Sequence, residues 1–461
     1  MKKKNTIGYV IFMAVVAAIG GILFGYDTAV ISGTTAIVKS QFHLTDMMEG
    51  WYVGCALIGS ICGVLVAGSL SDYLGRKFTM LISAALFSIS AIGCAVCGSF
   101  DSLVAFRIIG GVGIGIVSIV SPIYISEVSP ARIRGTLVSL YQLAVTIGFL
   151  LAYLANWVID SSADLTSAGS LWTNMWNSEM WRGMLGSETL PALLFFIIIF
   201  FIPESPKWLI VTGKMDKASM VLRKIYSAKE DVDNEIVQTR ESLGTDKGSW
   251  ADLLKPGILL AVIAGSAIAI LGQFMGVNAV LYYGPKIFAD AGFDNPMFST
   301  VLVGVVNCVT TILAVFIIDK VGRKQLIYWG VSGMIICLLA IGIYFAWGAA
   351  IGLGNGFMLT FFLAYVFCCA ISISAIVFVL LSEMYPNSVR GRAMSIAGFA
   401  LWIGTYLIGQ LTPVLLGWSQ AGTFFIFAAM CIPYMLIMWK VIPETTGKTL
   451  EEIEQYWAKK K

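Results

Sequence analysis

Two charged residues interrupt stretches of sequence that are otherwise apolar. Asp27 is the only charged residue between Ile7 and Ile31, and Arg107 lies deep within another apolar run. A carboxylate in such surroundings needs a cation or a proton, because an unpaired charge there is costly. An ion pair with Arg107 favours the deprotonated carboxylate, and opening the pair favours proton uptake. The two residues are therefore suited to proton transfer; a purely structural ion pair that orients two helices is the alternative.

Four amide side chains also lie within apolar runs: Gln142, Gln273, Asn278 and Asn307. Amides offer donors and acceptors for hydroxyl groups, and aromatic rings suit a weakly apolar ligand face. The candidate aromatic walls are Phe24, Tyr282 and Trp402. Any one amide is equally well explained by a hydrogen bond between helices. The set together favours a binding site for a neutral, hydroxyl-rich small molecule.

The composition indicates what surrounds these residues. Of 461 residues, 58% are hydrophobic and 12% are charged, about half the charged fraction of soluble domains. The sequence therefore predicts an integral membrane protein. Its small net charge of +3 does not indicate nucleic acid. The single histidine, the cysteines within apolar runs and the lack of a phosphate-binding motif predict no metal site and no cofactor.

Twelve apolar runs are long enough to cross a membrane, which takes about 20 residues. They are predicted at 8–32, 50–70, 78–99, 101–121, 135–159, 183–202, 256–284, 297–318, 325–347, 356–381, 391–417 and 421–442. Most lysines and arginines fall on one side of these runs, so both termini are expected on the cytoplasmic side of the cell (inner) membrane. We expect a six-helix bundle in 1–202, cytoplasmic linker helices in 203–255, a second bundle in 256–442 and a tail helix in 443–461.

The two halves repeat each other. The segment "SDYLGRK" recurs as "IDKVGRK", "SEVSPARIRG" recurs as "SEMYPNSVRG", and "IPES" recurs as "IPET". Parallel repeats of this kind form transporters that rock about a site between the halves. The repeated motifs carry acids and bases at helix ends, which predicts ion pairs that hold the cytoplasmic side closed. These residues are Asp72, Arg76, Glu127, Arg134, Asp319, Arg323, Glu383 and Arg390.

The segments "GGILFGYDTAVISG", "PESPKWL", "FMGVNAVLYY", "LLSEMYPNSVRGRA" and "PETTGKTLEEIE" together carry a family resemblance. Over nearly its whole length the chain resembles the sugar porter branch of the major facilitator superfamily, and within it the bacterial D-xylose/proton symporters. The resemblance implies an all-α membrane protein of 12 helices in two six-helix bundles with short cytoplasmic helices. It implies proton-coupled uptake of a monosaccharide by alternating access, in a monomer that is not an enzyme. Asp27 and Arg107 match the family's coupling positions, and the amides and aromatic residues above match its sugar-binding positions.

The sequence departs from the xylose pattern at four positions, where Phe149, Gly272 and Leu401 replace glutamines and Ile373 replaces a tryptophan. A D-xylose-like pentose or a hexose is therefore the expected substrate. An uncoupled facilitator is the first alternative, although facilitators of the family tend to lack the Asp27 carboxylate. A non-transporting sugar sensor is the second, although residues 443–461 are short for a sensor tail. If Asp27 does not carry the proton, Glu127 or Glu188 is the next candidate for the coupling carboxylate.

Overall fold

The computed structural model describes residues 3–130, 132–163, 169–226, 229–244, 250–386, 389–445, 448 and 450–459, which are helical and contain no strand. Twelve helices within this part of the chain are long and apolar enough to cross a membrane. They confirm the twelve predicted spans and the all-α fold. The spans, numbered in chain order, are Lys3–Gln41, Asp46–Leu74, Arg76–Val96, Phe100–Val128, Arg134–Ser162, Met180–Phe201, Pro256–Asp290, Pro296–Val321, Arg323–Trp347, Asn355–Met384, Arg390–Trp418 and Gln420–Lys440.

The first span is longer than its apolar run, since the helix continues past residue 32 to Gln41. The extension begins with the small polar residues "SGTT". The hydroxyl of Ser32 donates to the Ala29 carbonyl, and that of Thr34 donates to the Ile31 carbonyl, each at 2.8 Å. Hydroxyls bonded to their own helix leave no polar group unsatisfied, so the helix passes through a stretch whose composition alone suggests an end.

The chain forms two compact units, Met1–Ile37 with Cys55–Thr245 and Val38–Gly54 with Asp246–Lys461. In the first unit, glycines let the second and fourth spans touch closely. A Cβ atom at Gly111 would lie 2.0 Å from the Ala56 carbonyl oxygen, and one at Gly115 would lie 2.2 Å from that of Ser60. Only glycine fits such an approach. The predicted bundle and linker boundaries stay a prediction.

Several short helices follow the sixth span: Pro206–Val211, Met215–Ile225, Lys229–Gly244 and the 3₁₀ turn Trp250–Leu254. Ser205 begins the first of them, because its hydroxyl accepts the backbone N–H of Trp208 at 3.3 Å. Trp208 in the first of these helices and Leu222 in the second have buried side chains. The helix Leu450–Lys459 occupies the tail. The spacing of Thr449 and Glu452 predicts a capping box at its start, but Thr449 lies outside the described residues.

In the second unit, the seventh span is interrupted. It consists of the helices Pro256–Phe274 and Val277–Asp290, joined at Gly276 with φ of 91°. Residues with a side chain rarely adopt this left-handed conformation. Two glycines beside Gln273 in the sequence, Gly272 and Gly276, both favour a loosened helix, but Gly272 lies inside its regular first part. The tenth span also departs from α-helical geometry, with a π-helical turn over Ala370–Ser374.

Candidate functional site

A buried ion pair joins the first and fourth spans. Arg107 Nη1 donates to Asp27 Oδ1 at 2.6 Å. The two residues are 2% and 1% exposed, respectively. The structure thus brings together the two charged residues that the sequence singled out, 80 positions apart. A charge pair this deep in a membrane span is energetically costly. Such a pair is retained where it has a function or where its hydrogen bonds are well satisfied.

A third charged side chain lies beside this pair. Glu188, in the sixth span, is 2% exposed and close enough to interact with the charges of both Asp27 and Arg107. Among the described residues, Asp27 Oδ2 and Glu188 Oε1 are buried without a hydrogen-bond partner. One proton on either carboxyl would supply a missing donor. We call Asp27, Arg107 and Glu188 the carboxylate cluster.

Neighbouring contacts fix the spans around the carboxylate cluster. Tyr26 and Ser187, each next to a cluster carboxylate in the chain, share a hydrogen bond of 2.6 Å between their hydroxyls. Gly25 lies against the fifth span, where an added Cβ would be 2.0 Å from the Val145 carbonyl oxygen. Gly110 lies against Ser90 of the third span, where an added Cβ would be 2.5 Å from the Ser90 hydroxyl oxygen. The cluster is therefore held by tight backbone packing.

The second unit holds two of the predicted binding amides side by side. Asn278 Nδ2 donates to Gln273 Oε1 at 2.5 Å, across the break in the seventh span. Both side chains are half-buried. This contact leaves the NH₂ group of Gln273 and the carbonyl oxygen of Asn278 for a ligand. The break at Gly276 thus turns two amides of one span towards each other.

The tenth and eleventh spans stabilise the broken helix. The Tyr365 hydroxyl donates to the Met275 carbonyl at 2.7 Å, which satisfies an acceptor at the break. The Tyr283 hydroxyl donates to the Gly409 carbonyl at 2.7 Å. Gly404 packs on Gln273, because an added Cβ would lie 3.2 Å from its Cβ and Cγ atoms. Residues far apart in sequence therefore position the amide pair.

The remaining predicted binding residues are divided between the units. In the second unit, Asn307 and Trp402 are half-buried and Tyr282 is buried. In the first unit, Phe24 is half-buried and Gln142 is exposed. Among the described residues, the amides of Gln142 and Asn307 make no hydrogen bond. Their donors and acceptors are available to a ligand. That these residues share one cavity stays a prediction.

Two of the four departures from the xylose pattern are neighbours. A Cβ atom at Gly272 would lie 3.5 Å from Ile373 Cγ2, an ordinary van der Waals contact. Both residues are buried. Together they form an apolar surface next to Gln273. In the xylose pattern these two positions hold a glutamine and a tryptophan, which would offer an amide and a large ring instead.

A second cluster of charges lies at helix ends of the first unit. Arg76 Nε contacts Glu127 Oε2 at 3.0 Å, and Arg76 Nη1 contacts Asp72 Oδ1 at 3.0 Å. The Ser205 hydroxyl donates to Glu127 at 2.5 Å. The Asp72 carboxylate is largely exposed, so its pair with Arg76 contributes little. The half-buried Arg76–Glu127 pair is the stronger link between the third and fourth spans.

The second unit repeats this arrangement with different residues. Arg323 Nη2 contacts Glu383 Oε1 at 3.0 Å, and the Thr445 hydroxyl donates to Glu383 Oε2 at 2.6 Å. The side chain of Asp319 lies outside the described residues. Arg390 donates to the Tyr385 carbonyl at 3.4 Å. Arg134 lines a cavity of about 310 Å³; within the described residues neither arginine has a salt bridge.

Sequence reasoning missed two glutamates that cap helices in these charge clusters. Glu204 accepts the backbone N–H groups of Arg76 at 2.9 Å and Lys77 at 3.1 Å, where the third span begins. Glu444 accepts that of Lys324 at 3.1 Å, where the ninth span begins. Carboxylates are stabilised at helix N-termini. Burial raises the pKa of Glu204, and the N–H groups that it accepts oppose that rise. The repeat of "IPES" and "IPET" was the available signal.

The fold and its charged and amide clusters define a twelve-span membrane transporter built from two repeated halves. The chain belongs to the family described as sugar (and other) transporter, whose model matches residues 13–457.

Two curated relatives match almost the full length. The chain is 38% identical to the arabinose-proton symporter of Bacillus subtilis, over 99% of this chain and 97% of the relative. It is 37% identical to the D-xylose-proton symporter of Escherichia coli, with the same coverage. An inward-open structure of the xylose transporter XylE from E. coli matches 97% of this chain and 100% of that one, with a TM-score of 0.84 and 35% identity.

Proposed function

We propose that this protein is a proton-coupled symporter that takes up a monosaccharide, and that the sugar is a pentose. The carboxylate cluster carries the proposal. It places two buried carboxylates and one guanidinium together, with two acceptor oxygens that lack a donor among the described residues. Full-length relatives named arabinose-proton and D-xylose-proton symporters support the proton and the pentose.

Coupling follows from the charges of the cluster. When Asp27 is ionised, its contact with Arg107 holds the first and fourth spans together. A proton on Asp27 weakens that contact, because the guanidinium then faces a neutral acid. The protonated and ionised forms thus favour different arrangements of these spans. Proton binding shifts the population of conformations, and sugar binding shifts the same equilibrium.

The amide pair supplies the sugar site. Gln273 and Asn278 offer donors and acceptors at a helix break, where transporters commonly bind substrate. Gln142, Asn307 and the aromatic residues Phe24, Tyr282 and Trp402 complete the proposed site. The sugar leaves chemically unchanged, so the protein is not an enzyme. We place it as a monomer in the inner membrane. Both termini are cytoplasmic in this proposal, because most lysines and arginines lie on the same side of the spans as the termini.

The test uses purified protein in vesicles, with an outside pH electrode. Adding xylose or arabinose to wild-type protein should make the outside solution alkaline as protons enter with sugar. Asp27→Asn should abolish this signal while sugar binding persists, because asparagine keeps the shape but cannot titrate. Asp101→Asn is the matched control, since Asp101 is exposed at the start of the fourth span. It should behave like wild type.

Three outcomes would count against the proposal. Proton movement in Asp27→Asn would make that carboxylate structural. Sugar flux without proton movement in the wild type would indicate an uncoupled facilitator. Sugar binding without any flux would indicate a sensor. Glucose in the same assay tests the pentose assignment, since preferential glucose uptake would contradict it.

A further inference from the structure

A groove of about 460 Å³ lies in the first unit, where the sixth span ends. The span ends at Phe201, and Pro203 already lines the groove. The helix Met215–Ile225 contributes the other wall. No residue of the carboxylate cluster or the amide pair lines this groove, and of the helix-end charge clusters only the capping residue Glu204 does, so sugar transport leaves it unexplained.

One stripe of the helix Met215–Ile225 faces the groove. Lys217, Met220, Val221 and Lys224 all line it. Their positions i, i+3, i+4 and i+7 define one face of an α-helix. Leu222 and other apolar residues of the helix are buried. The exposed face of the helix therefore combines lysine with methionine, and these side chains suit contact with lipid headgroups and acyl chains.

The floor of the groove is apolar. It is formed by Pro203, Leu209 and Val221, with Met220 at the edge. Met220 is 59% exposed, and Phe201, in the last turn of the sixth span, is 69% exposed. A hydrocarbon chain would bury such surface at about 25 cal/mol per Å². Inorganic phosphate gains nothing from an apolar floor.

The rim of the groove is positively charged. Lys217, Arg223 and Lys224 are exposed and line it, and none forms an ion pair with another described residue. Lys224 Nζ lies 5.7 Å from the centroid of the Tyr9 ring, a contact that leaves its charge unneutralised. The lining also includes Glu204, but its carboxylate accepts backbone N–H groups at the start of the third span. Three cations therefore remain to face an anion at the membrane boundary.

We propose that this groove binds an anionic phospholipid from the leaflet that borders it. Lys217, Arg223 and Lys224 contact the phosphate, and an acyl chain lies along the floor. Each lysine or arginine near a membrane surface contributes about 1 kcal/mol of attraction to anionic lipid. The apolar floor and cationic rim together select a charged lipid over both a neutral lipid and a free anion. The proposal does not depend on the sugar or on proton coupling.

The test is native mass spectrometry of detergent-solubilised protein with phosphatidylglycerol or phosphatidylcholine of identical acyl chains. Wild-type protein should retain phosphatidylglycerol preferentially. Lys217→Gln with Lys224→Gln should weaken retention about thirtyfold, which corresponds to two charges at about 1 kcal/mol each. Arg240→Gln is the control, because Arg240 is exposed in the following helix and does not line the groove. It should retain the lipid as wild type does.

A second variant tests the floor and does not rely on the charges. Met220→Gln should weaken retention of both lipids, because an amide replaces apolar surface. Equal retention of the two lipids by the wild type would overturn the proposal, as would unchanged retention of phosphatidylglycerol by the double variant. Complete displacement of the lipid by millimolar inorganic phosphate would show a site for a free anion and would overturn it too.

Discussion

At the scale of single residues, we expect the members of the carboxylate cluster to have separate tasks. Asp27 contacts Arg107 directly, whereas Glu188 lies beside both without a hydrogen bond to its Oε1 atom from the described residues. Two buried acids this close cannot both be ionised without repelling each other. Glu188 is therefore expected to set the pH range of transport, and Asp27 is expected to be required for it.

The first prediction tests that division of tasks. Glu188→Gln should change the dependence of initial uptake on outside pH, because it removes one of the two acids of the carboxylate cluster. Uptake by vesicles between pH 5 and 8 provides the measurement. Glu230→Gln is the control, since Glu230 is exposed in a helix outside the spans. An unchanged pH profile in Glu188→Gln would assign Glu188 a packing role.

The second prediction concerns the amide pair. Gln273→Ala removes one amide of the proposed sugar site and leaves Asn278 without its partner. A half-made buried hydrogen bond costs roughly 1–3 kcal/mol, so sugar affinity should fall between about fivefold and 150-fold. Isothermal titration of purified protein measures this. Gln420→Ala changes a half-buried amide whose hydrogen bond to Asp290 is exposed, and it should leave affinity unchanged. Equal affinities for both variants would place the sugar elsewhere.

At the scale of elements, the spans and the helix break differ in how well sequence predicts them. Each span is marked by a long apolar run, so all twelve were expected. The extension of the first span to Gln41 was not expected, because hydroxyls that bond to their own helix look polar in the sequence. The break in the seventh span had a signal in two glycines, but only the backbone shows that Gly276 is the one with positive φ.

The third prediction compares these two glycines. Gly276→Ala forces a side chain into φ of 91° and places its Cβ 2.3 Å from the Phe427 ring. Such strain costs roughly 1–3 kcal/mol, and the variant should lose thermal stability and transport. Gly272→Ala is the matched control, because its nearest contact is 3.5 Å. Thermal unfolding followed by intrinsic fluorescence measures both. Comparable stability of the two variants would show that the break adapts without strain.

At the scale of the whole molecule, the helix-end ion pairs follow the internal repeat. Arg76 and Glu127 with Ser205 correspond to Arg323 and Glu383 with Thr445. The sequence repeat predicted the acids and bases, because they occupy matching positions of the two halves. It did not predict the hydroxyls or the capping glutamates, because these contacts join segments about 60 to 130 residues apart.

The fourth prediction tests this repeat. Glu127→Gln and Glu383→Gln should each slow transport several-fold while sugar affinity stays near wild type, since neither residue belongs to the proposed sugar site. Each pair is completed within its own unit, so the two effects should multiply in the double variant. Initial uptake rates and titration of sugar binding separate the two properties. A large loss of sugar affinity together with a normal transport rate would contradict this prediction.

The site was only partly predictable. Asp27 and Arg107 were identified because a lone charge in an apolar run is rare. Glu188 was harder to assign, because serine and threonine flank it and its run looks less apolar. Its proximity to Asp27, 161 positions away, depends on the packing of the first and sixth spans, to which the contact of Tyr26 with Ser187 contributes. Packing between distant helices leaves no mark in local composition.

The charges of the carboxylate cluster also limit how much sugar the cell can store. With both carboxylates ionised and Arg107 cationic, the cluster carries one net negative charge, and one proton neutralises it. A buried site favours neutrality, so we expect one proton to enter with each sugar. One proton moving through 100 mV supplies about 2.3 kcal/mol, so the inside-to-outside sugar ratio reaches about fiftyfold. Each unit of pH difference multiplies that ceiling by about ten, and sugar distribution at a clamped potential measures it.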